Sequence, residues 1–234
     1  MEINEFIEQV KKLNIEITNQ HLTRLDEYYN LLIEYNKIMN LTGITEKKQV
    51  YLKHFYDSLC IAKVIDLNKE LSLCDIGTGA GFPGIVLKIF YPNLKITLLD
   101  SLNKRIEFLN IVIRKLELTN IETVHVRAEE YALNNREKYD VVTSRAVSNL
   151  NTLLEISIPL VKVNKYFIPL KANIEEELEN SKNALRKLDS KIIKIEKFLL
   201  PIENSNRTIL KIQKLSKTNK IFPRKYSEIK KKPL

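Results

Sequence analysis

Only five glycines occur in the 234 residues of this chain. Four of them, Gly77, Gly79, Gly81 and Gly84, fall in one stretch, Cys74-Asp75-Ile76-Gly77-Thr78-Gly79-Ala80-Gly81-Phe82-Pro83-Gly84. Glycine serves backbone that turns sharply, visits positive φ or lets a ligand come close. A chain that gathers its glycine into one loop is therefore organised around that loop. Leu71 to Ile76 before it reads as a short buried strand, and Ile85 to Phe90 after it as a helix, with Pro83 suited to the first turn. Strand, glycine turn and helix N-terminus together make a site for a nucleotide-like ligand.

The glycines admit two ligands. Gly79, Gly81 and Gly84 satisfy G-x-G-x-x-G, and the acid Asp100 ends the next strand, as a dinucleotide site requires. The other parse is Asp75-x-Gly77-x-Gly79-x-Gly81, which resembles the first motif of S-adenosylmethionine-dependent methyltransferases. Their cofactor is a sulfonium cation without phosphate. A carboxylate such as Asp75 beside the loop favours a cation over a pyrophosphate by ~3 kcal/mol at an effective dielectric near 20. A tight structural turn without ligand is the third reading.

The remaining strands weigh on the choice. Expected strands are Lys95 to Asp100, Ile121 to Val126, Tyr139 to Thr143 and Lys162 to Leu170. Between them lie a helix from Leu102 to Glu117 capped by Ser101 and another from Leu150 to Leu160. Asn173 opens a helix reaching Leu188, with Glu175, Glu176 and Glu177 in its first turn. Two last strands, Ile192 to Leu199 and Thr208 to Gln213, are separated by a connection too short for a parallel crossover, which needs about a dozen residues. They must form an antiparallel hairpin. A dinucleotide sheet is all parallel, so the hairpin favours the methyltransferase parse independently of the glycines. Ahead of the sheet the sequence predicts helices over 3–14, from His21 to Met39 behind an Asn19 cap, and from Lys47 to Val64. The expected fold is α/β, a seven-stranded, mostly parallel Rossmann-like sheet. The expected division is a helical segment 1–66, the sheet domain 67–216 and a basic tail 217–234.

Length allows one sizeable domain. No apolar run approaches the roughly 18 residues of a membrane span. Cys60 and Cys74 have no ligand-like spacing with His21, His54 or His125, so reduced thiols in a cytoplasm and no metal are expected. The net charge is +9, and from Lys211 onward nine Lys or Arg face the single acid Glu228. That imbalance calls for an anionic partner. Removing 217–234 is accordingly expected to weaken binding of that partner and leave cofactor affinity nearly unchanged.

Ligands of open α/β sheets bind at the carboxyl ends of the strands. There the sequence puts Asp75, Gly77, Gly79 and Gly81, then Asp100, which is placed to accept both ribose hydroxyls of an adenosyl group, and Glu129 near the adenine. Four cations, Lys104, Arg127, Arg145 and Lys171, share this rim as candidate phosphate contacts, with Arg224 and Lys225 in the tail. His54 and His125 read as structural, with no His beside the glycine loop.

Met39-Asn40-Leu41-Thr42, Lys53-His54-Phe55-Tyr56-Asp57-Ser58-Leu59, the glycine loop, Val126-Arg127-Ala128-Glu129-Glu130 and Ser144-Arg145-Ala146-Val147 occur in this order. In that combination the chain resembles the ribosomal RNA small-subunit methyltransferase G family, also called glucose-inhibited division protein B, from about residue 3 to its end. The resemblance implies a class I fold and methyl transfer from S-adenosylmethionine to N7 of a guanine in the 530 loop of 16S ribosomal RNA. Cofactor contacts are implied from Gly77, Phe82, Ala128, Glu129 and Arg145. Guanine N7 carries a free lone pair, so no general base is expected. The partner is 16S RNA or the small ribosomal subunit, met by a monomer. The tail departs from the family's Arg-Lys-Ala-Gly-Thr-Pro: here it reads Arg224-Lys225-Tyr226-Ser227-Glu228-Ile229. An NAD-dependent oxidoreductase and an RNA-binding protein on an inactive methyltransferase scaffold are the alternatives.

Overall fold

A computed structural model describes residues 1–234. Seven strands form one sheet: β1 (Ser72–Ile76), β2 (Lys95–Asp100), β3 (Ile121–His125), β4 (Tyr139–Arg145), β5 (Val161–Lys171), β6 (Ser190–Leu200) and β7 (Ser205–Lys214). Their spatial order is β3-β2-β1-β4-β5-β7-β6. β1 to β5 pair in parallel, and β7 runs antiparallel to both β5 and β6. The short Pro201 connection thus forms the expected hairpin. The order reverses beside β1, which opens the switch-point crevice where such sheets take ligands.

Helices cover both faces. On one face α1 (Ile3–Lys12), α2 (Asn19–Met39), α5 (Gly84–Phe90) and α6 (Asn103–Lys115) share a core with a helical run. That run comprises α3 (Lys47–Val50), a π-helical stretch Tyr51–Tyr56, α4 (Asp57–Leu59) and a 3-10 turn Cys60–Lys63. Phe6, Leu25 and Phe55 meet Leu73, Ile85 and Leu98 there, so the segment 1–66 packs into the core of the sheet itself. The opposite face carries α7 (Ala128–Asn134), α8 (Leu150–Ser157), α9 (Glu175–Asn180), α10 (Lys182–Lys187) and α11 (Tyr226–Lys231). Phe222, Ile229 and Leu234 are buried in that second core, so the expected tail is docked structure. No helix is long and apolar enough to cross a membrane.

Several local expectations are corrected. Thr18, not Asn19, caps α2, and its Oγ1 accepts from the His21 N–H while its own N–H donates to His21 Nδ1. Ser101 does not cap α6: Leu102 stands at the N-cap without a side-chain cap bond, and its N–H donates to the Asp100 carboxylate at 3.0 Å. The helix expected from Asn173 begins at Glu175 and breaks at Ser181 into α9 and α10.

Candidate functional site

The glycine loop leaves β1 and turns beneath its own acid. Asp75 is wholly buried, and its Oδ2 accepts from Thr78 Oγ1 at 2.7 Å and from the Gly84 N–H at 2.9 Å. Its Oδ1 is buried without a partner, and burial pushes the carboxyl up to about 7. Asp75 is therefore a clamp under the loop; the expected contact with a cofactor cation is not made from this position. A Cβ on Gly84 would lie 2.3 Å from Leu98 Cδ2, so only glycine lets α5 start against β2. Gly81 likewise faces inward, against Ile85, Tyr28 and Leu109. The Gly79 N–H turns to the Asp100 carboxylate at 2.9 Å.

A first cavity of about 240 Å³ opens at the ends of β1, β2 and β4. Of the expected cofactor residues it gathers Gly77, Asp100, Ala128 and Glu129, with Ile76, Leu99, Val126 and Ile156 as apolar walls. Gly77 has a φ of +63°, and a Cβ there would lie 2.7 Å from Val147. Asp100 is 3% exposed and accepts from Gly79, from Leu102 and, at 3.2 Å, from Arg105 Nη1. A carboxylate offers about four acceptor positions, so one remains. Accepting both ribose hydroxyls, as expected, requires Arg105 to give up its place. Burial pushes the Glu129 carboxyl above its ordinary value.

A second cavity of about 480 Å³ shares the wall residue Ala146 with the first. Arg145, expected at the cofactor, belongs to this side only. Its Nη1 donates to the Lys53 carbonyl at 2.7 Å and to Asp57 at 3.3 Å, and its Nη2 faces His54 Nδ1 at 3.1 Å. Nδ1 also lies 3.2 Å from the Lys53 carbonyl, and Nε2 pairs with Thr42 Oγ1 at 3.0 Å, so both ring nitrogens are engaged. Burial, with Arg145 beside it, drives the His54 pKa down to about 3. The His54 ring stacks on Phe82 of the glycine loop, centroids 4.4 Å apart, and Arg145 lies 5.1 Å from the same ring. A histidine does sit beside the loop, contrary to expectation. Phe82 reaches this cluster and not the first cavity. The Tyr28 hydroxyl of α2 also holds the loop, donating to the Ala80 carbonyl. His125 is at the end of β3, facing the Ser101 carbonyl.

The six expected phosphate contacts divide. Lys104, Arg127 and Lys225 are exposed and make no ion pair. Arg145 is paired as described, Lys171 is held by Glu177 at 2.7 Å, and Arg224 by the fully buried Glu155 at 2.6 Å. Arg105, Ile156 and Tyr226 line the first cavity and Asp57 and Arg207 the second, none of them given a site role from the sequence. One signal was present: Arg105 puts positive charge in the first turn of a helix, where it is disfavoured.

Comparison with known proteins agrees with this architecture. The profile of the family described as rRNA small subunit methyltransferase G matches residues 21–206. The ribosomal RNA small subunit methyltransferase G of Bacillus licheniformis is 46% identical over 237 aligned positions, covering 100% of this chain and 99% of that protein. A SAM-dependent methyltransferase from Aquifex aeolicus shares the fold at a TM-score of 0.55 and 17% identity, over 71% of this chain and 93% of that one. TYW2 of M. jannaschii, solved in complex with AdoMet, gives a TM-score of 0.53 at 16% identity over 63% and 71% of the two chains. The fold is the class I methyltransferase fold, and the chain belongs to the rRNA small subunit methyltransferase G family.

Proposed function

We propose that this chain is an S-adenosylmethionine-dependent methyltransferase that modifies N7 of a guanine in 16S ribosomal RNA. The observation that carries the reading is the pair of cavities divided by Ala146 at the switch point of a class I sheet. The first fits an adenosyl cofactor. Gly77 keeps its backbone clear where any Cβ would strike Val147, Asp100 keeps one free acceptor position, and buried apolar walls flank them. Arg105 Nε is buried without a partner beside that carboxylate. When bound, the cofactor supplies an electrophilic methyl on a sulfonium.

The second cavity suits the acceptor. Lys53, Arg145, Lys171 and Arg207 line its walls, each held by a carboxylate of Glu203, Asp57 or Glu177, so the cavity is polar and donor-rich, as the edge of a base requires. His54, the one histidine there, has both ring nitrogens engaged and its pKa driven down to about 3, so it stays neutral at physiological pH and is too weak a base to take a proton. That supports an acceptor atom that carries no proton, such as guanine N7. The protein's task is then to hold the two reacting atoms at roughly 3–3.5 Å. On this reading the chain acts as a monomer in the cytoplasm.

The test compares 16S RNA from cells with and without the protein. One guanine should lack its N7-methyl in the deletion strain and regain it when purified protein and S-adenosylmethionine are added to that RNA. An unchanged methylation map overturns the reading; a methyl missing from another atom overturns the N7 assignment alone.

A further inference from the structure

Beyond β7 the chain is anchored at three places. Arg136 donates to the carbonyls of Thr218, Asn219 and Phe222 at 2.7, 3.1 and 2.6 Å. Arg224 donates from Nε and Nη2 to Glu155 at 2.8 and 2.6 Å, and its backbone N–H adds a third bond to that carboxylate at 3.0 Å. Phe222, Ile229 and Leu234 are buried under the sheet. Held between these anchors, Tyr226 opens α11 and lines the first cavity together with Val126, Glu129 and Ile156. The residue is 39% exposed, and the Arg127 guanidinium lies 5.5 Å from its ring centroid. A neighbouring cavity of about 560 Å³ continues past the same ring between Arg127, Glu129 and Lys225.

We infer that Tyr226 is a cofactor contact: its ring packs on the base of the bound adenosyl group, and residues 217–234 are the support that keeps it there. The inference rests on the cofactor reading above. A purine presents flat faces to its surroundings, and an aromatic ring steadied by a guanidinium is a natural partner for them. The walls already present, Val126, Ala128 and Ile156, are aliphatic, so Tyr226 is the one aromatic residue of this cavity. The segment is thus part of the cofactor site, and the expectation that its loss would leave cofactor affinity nearly unchanged is reversed.

The test is calorimetric titration of the full chain with S-adenosylhomocysteine. Tyr226→Ala should weaken binding about tenfold, and Tyr226→Phe should stay within about twofold, with unchanged thermal melting showing that both variants are folded. The chain contains no tryptophan, so Tyr226→Trp provides a single emitter at the site. Its fluorescence should change on titration with S-adenosylhomocysteine, with the calorimetric midpoint. Affinity unchanged in Tyr226→Ala, or a silent tryptophan in a variant that binds, overturns the inference while the cofactor reading stands. Weakened RNA binding with unchanged cofactor affinity assigns the ring to the RNA surface and overturns it too. Wild-type protein that binds no S-adenosylhomocysteine overturns the cofactor reading and this inference with it.

Discussion

Two buried titratable side chains hold the glycine loop, Asp75 from beneath and His54 through Phe82, and they respond to pH with opposite sign. Burial raises Asp75 from 3.8 to about 7. Between those values the folded chain keeps a proton that the unfolded chain has released, so this group lowers stability as pH rises through that window. His54 is lowered from 6.5 to about 3, so its contribution is full above 6.5 and is lost as pH falls toward 3. The two windows overlap, and a single pH curve would mix them. Comparison with Asp75→Asn separates them. Relative to that variant, the wild type should lose stability between pH 4 and pH 8, by up to roughly 4 kcal/mol, in urea unfolding. A difference independent of pH would mean that Asp75 is ionised throughout. The state of His54 also bears on the chemistry. With His54 neutral across this range, single-turnover methyl transfer should be nearly flat between about pH 6 and 9. His125→Gln should retain transfer within about tenfold, since loss of a general base costs roughly 100-fold or more. A steep rise abolished by changing either histidine would show that a proton is removed and that the acceptor is not N7.

At the level of elements, the loop and the C-terminal segment show how far local signals reach. Gly84→Ala should cost about 1–3 kcal/mol, because the new methyl meets Leu98 in a filled core. Arg224→Ala leaves the buried Glu155 carboxylate with only a backbone donor and should cost roughly 3 kcal/mol in urea unfolding. Lys225→Ala, one residue on and exposed, should stay within about 0.5 kcal/mol. Equal effects of the two would show that 217–234 is not docked. The sheet was legible because its signals are local. Glycine spacing marked the switch point, and a connection too short to cross over forced the β6–β7 hairpin. The docked segment was not legible, since its lysines dominate its composition while its anchors are long-range partners, Glu155 and Arg136. The same reason hid the inward turn of Asp75 and the reach of His54 to Phe82. Residue type and spacing identified both side chains, but which face of the loop they occupy is decided by the helices packed beneath it.

Over the whole molecule, ion pairing leaves fewer of the expected cations free for RNA than the sequence placed at the rim and on the tail. Six cations were expected at the cofactor mouth and on the tail, but Arg145, Lys171 and Arg224 already have carboxylate partners. An ion-paired cation must lose its partner before it can neutralise a phosphate, so it contributes little to counterion release. Lys104, Arg127 and Lys225 remain free at the rim. Three phosphate contacts predict that the logarithm of RNA affinity falls with the logarithm of salt at a slope of about −2 for single strands to about −3 for duplex-like RNA. Lys104→Ala and Lys225→Ala should each flatten that slope by about one and weaken binding uniformly across RNA sequences. Arg127→Ala should flatten it similarly, and should also disturb the Tyr226 ring against which it lies. Lys171→Ala is the contrasting case: it removes a cation already balanced by Glu177, so the slope should hardly move. Filter binding of a 16S fragment across a salt series measures all four. A slope near −5 in the wild type, flattened as much by Lys171→Ala as by Lys104→Ala, would mean that the internal pairs open on RNA and that the rim presents its full sequence charge.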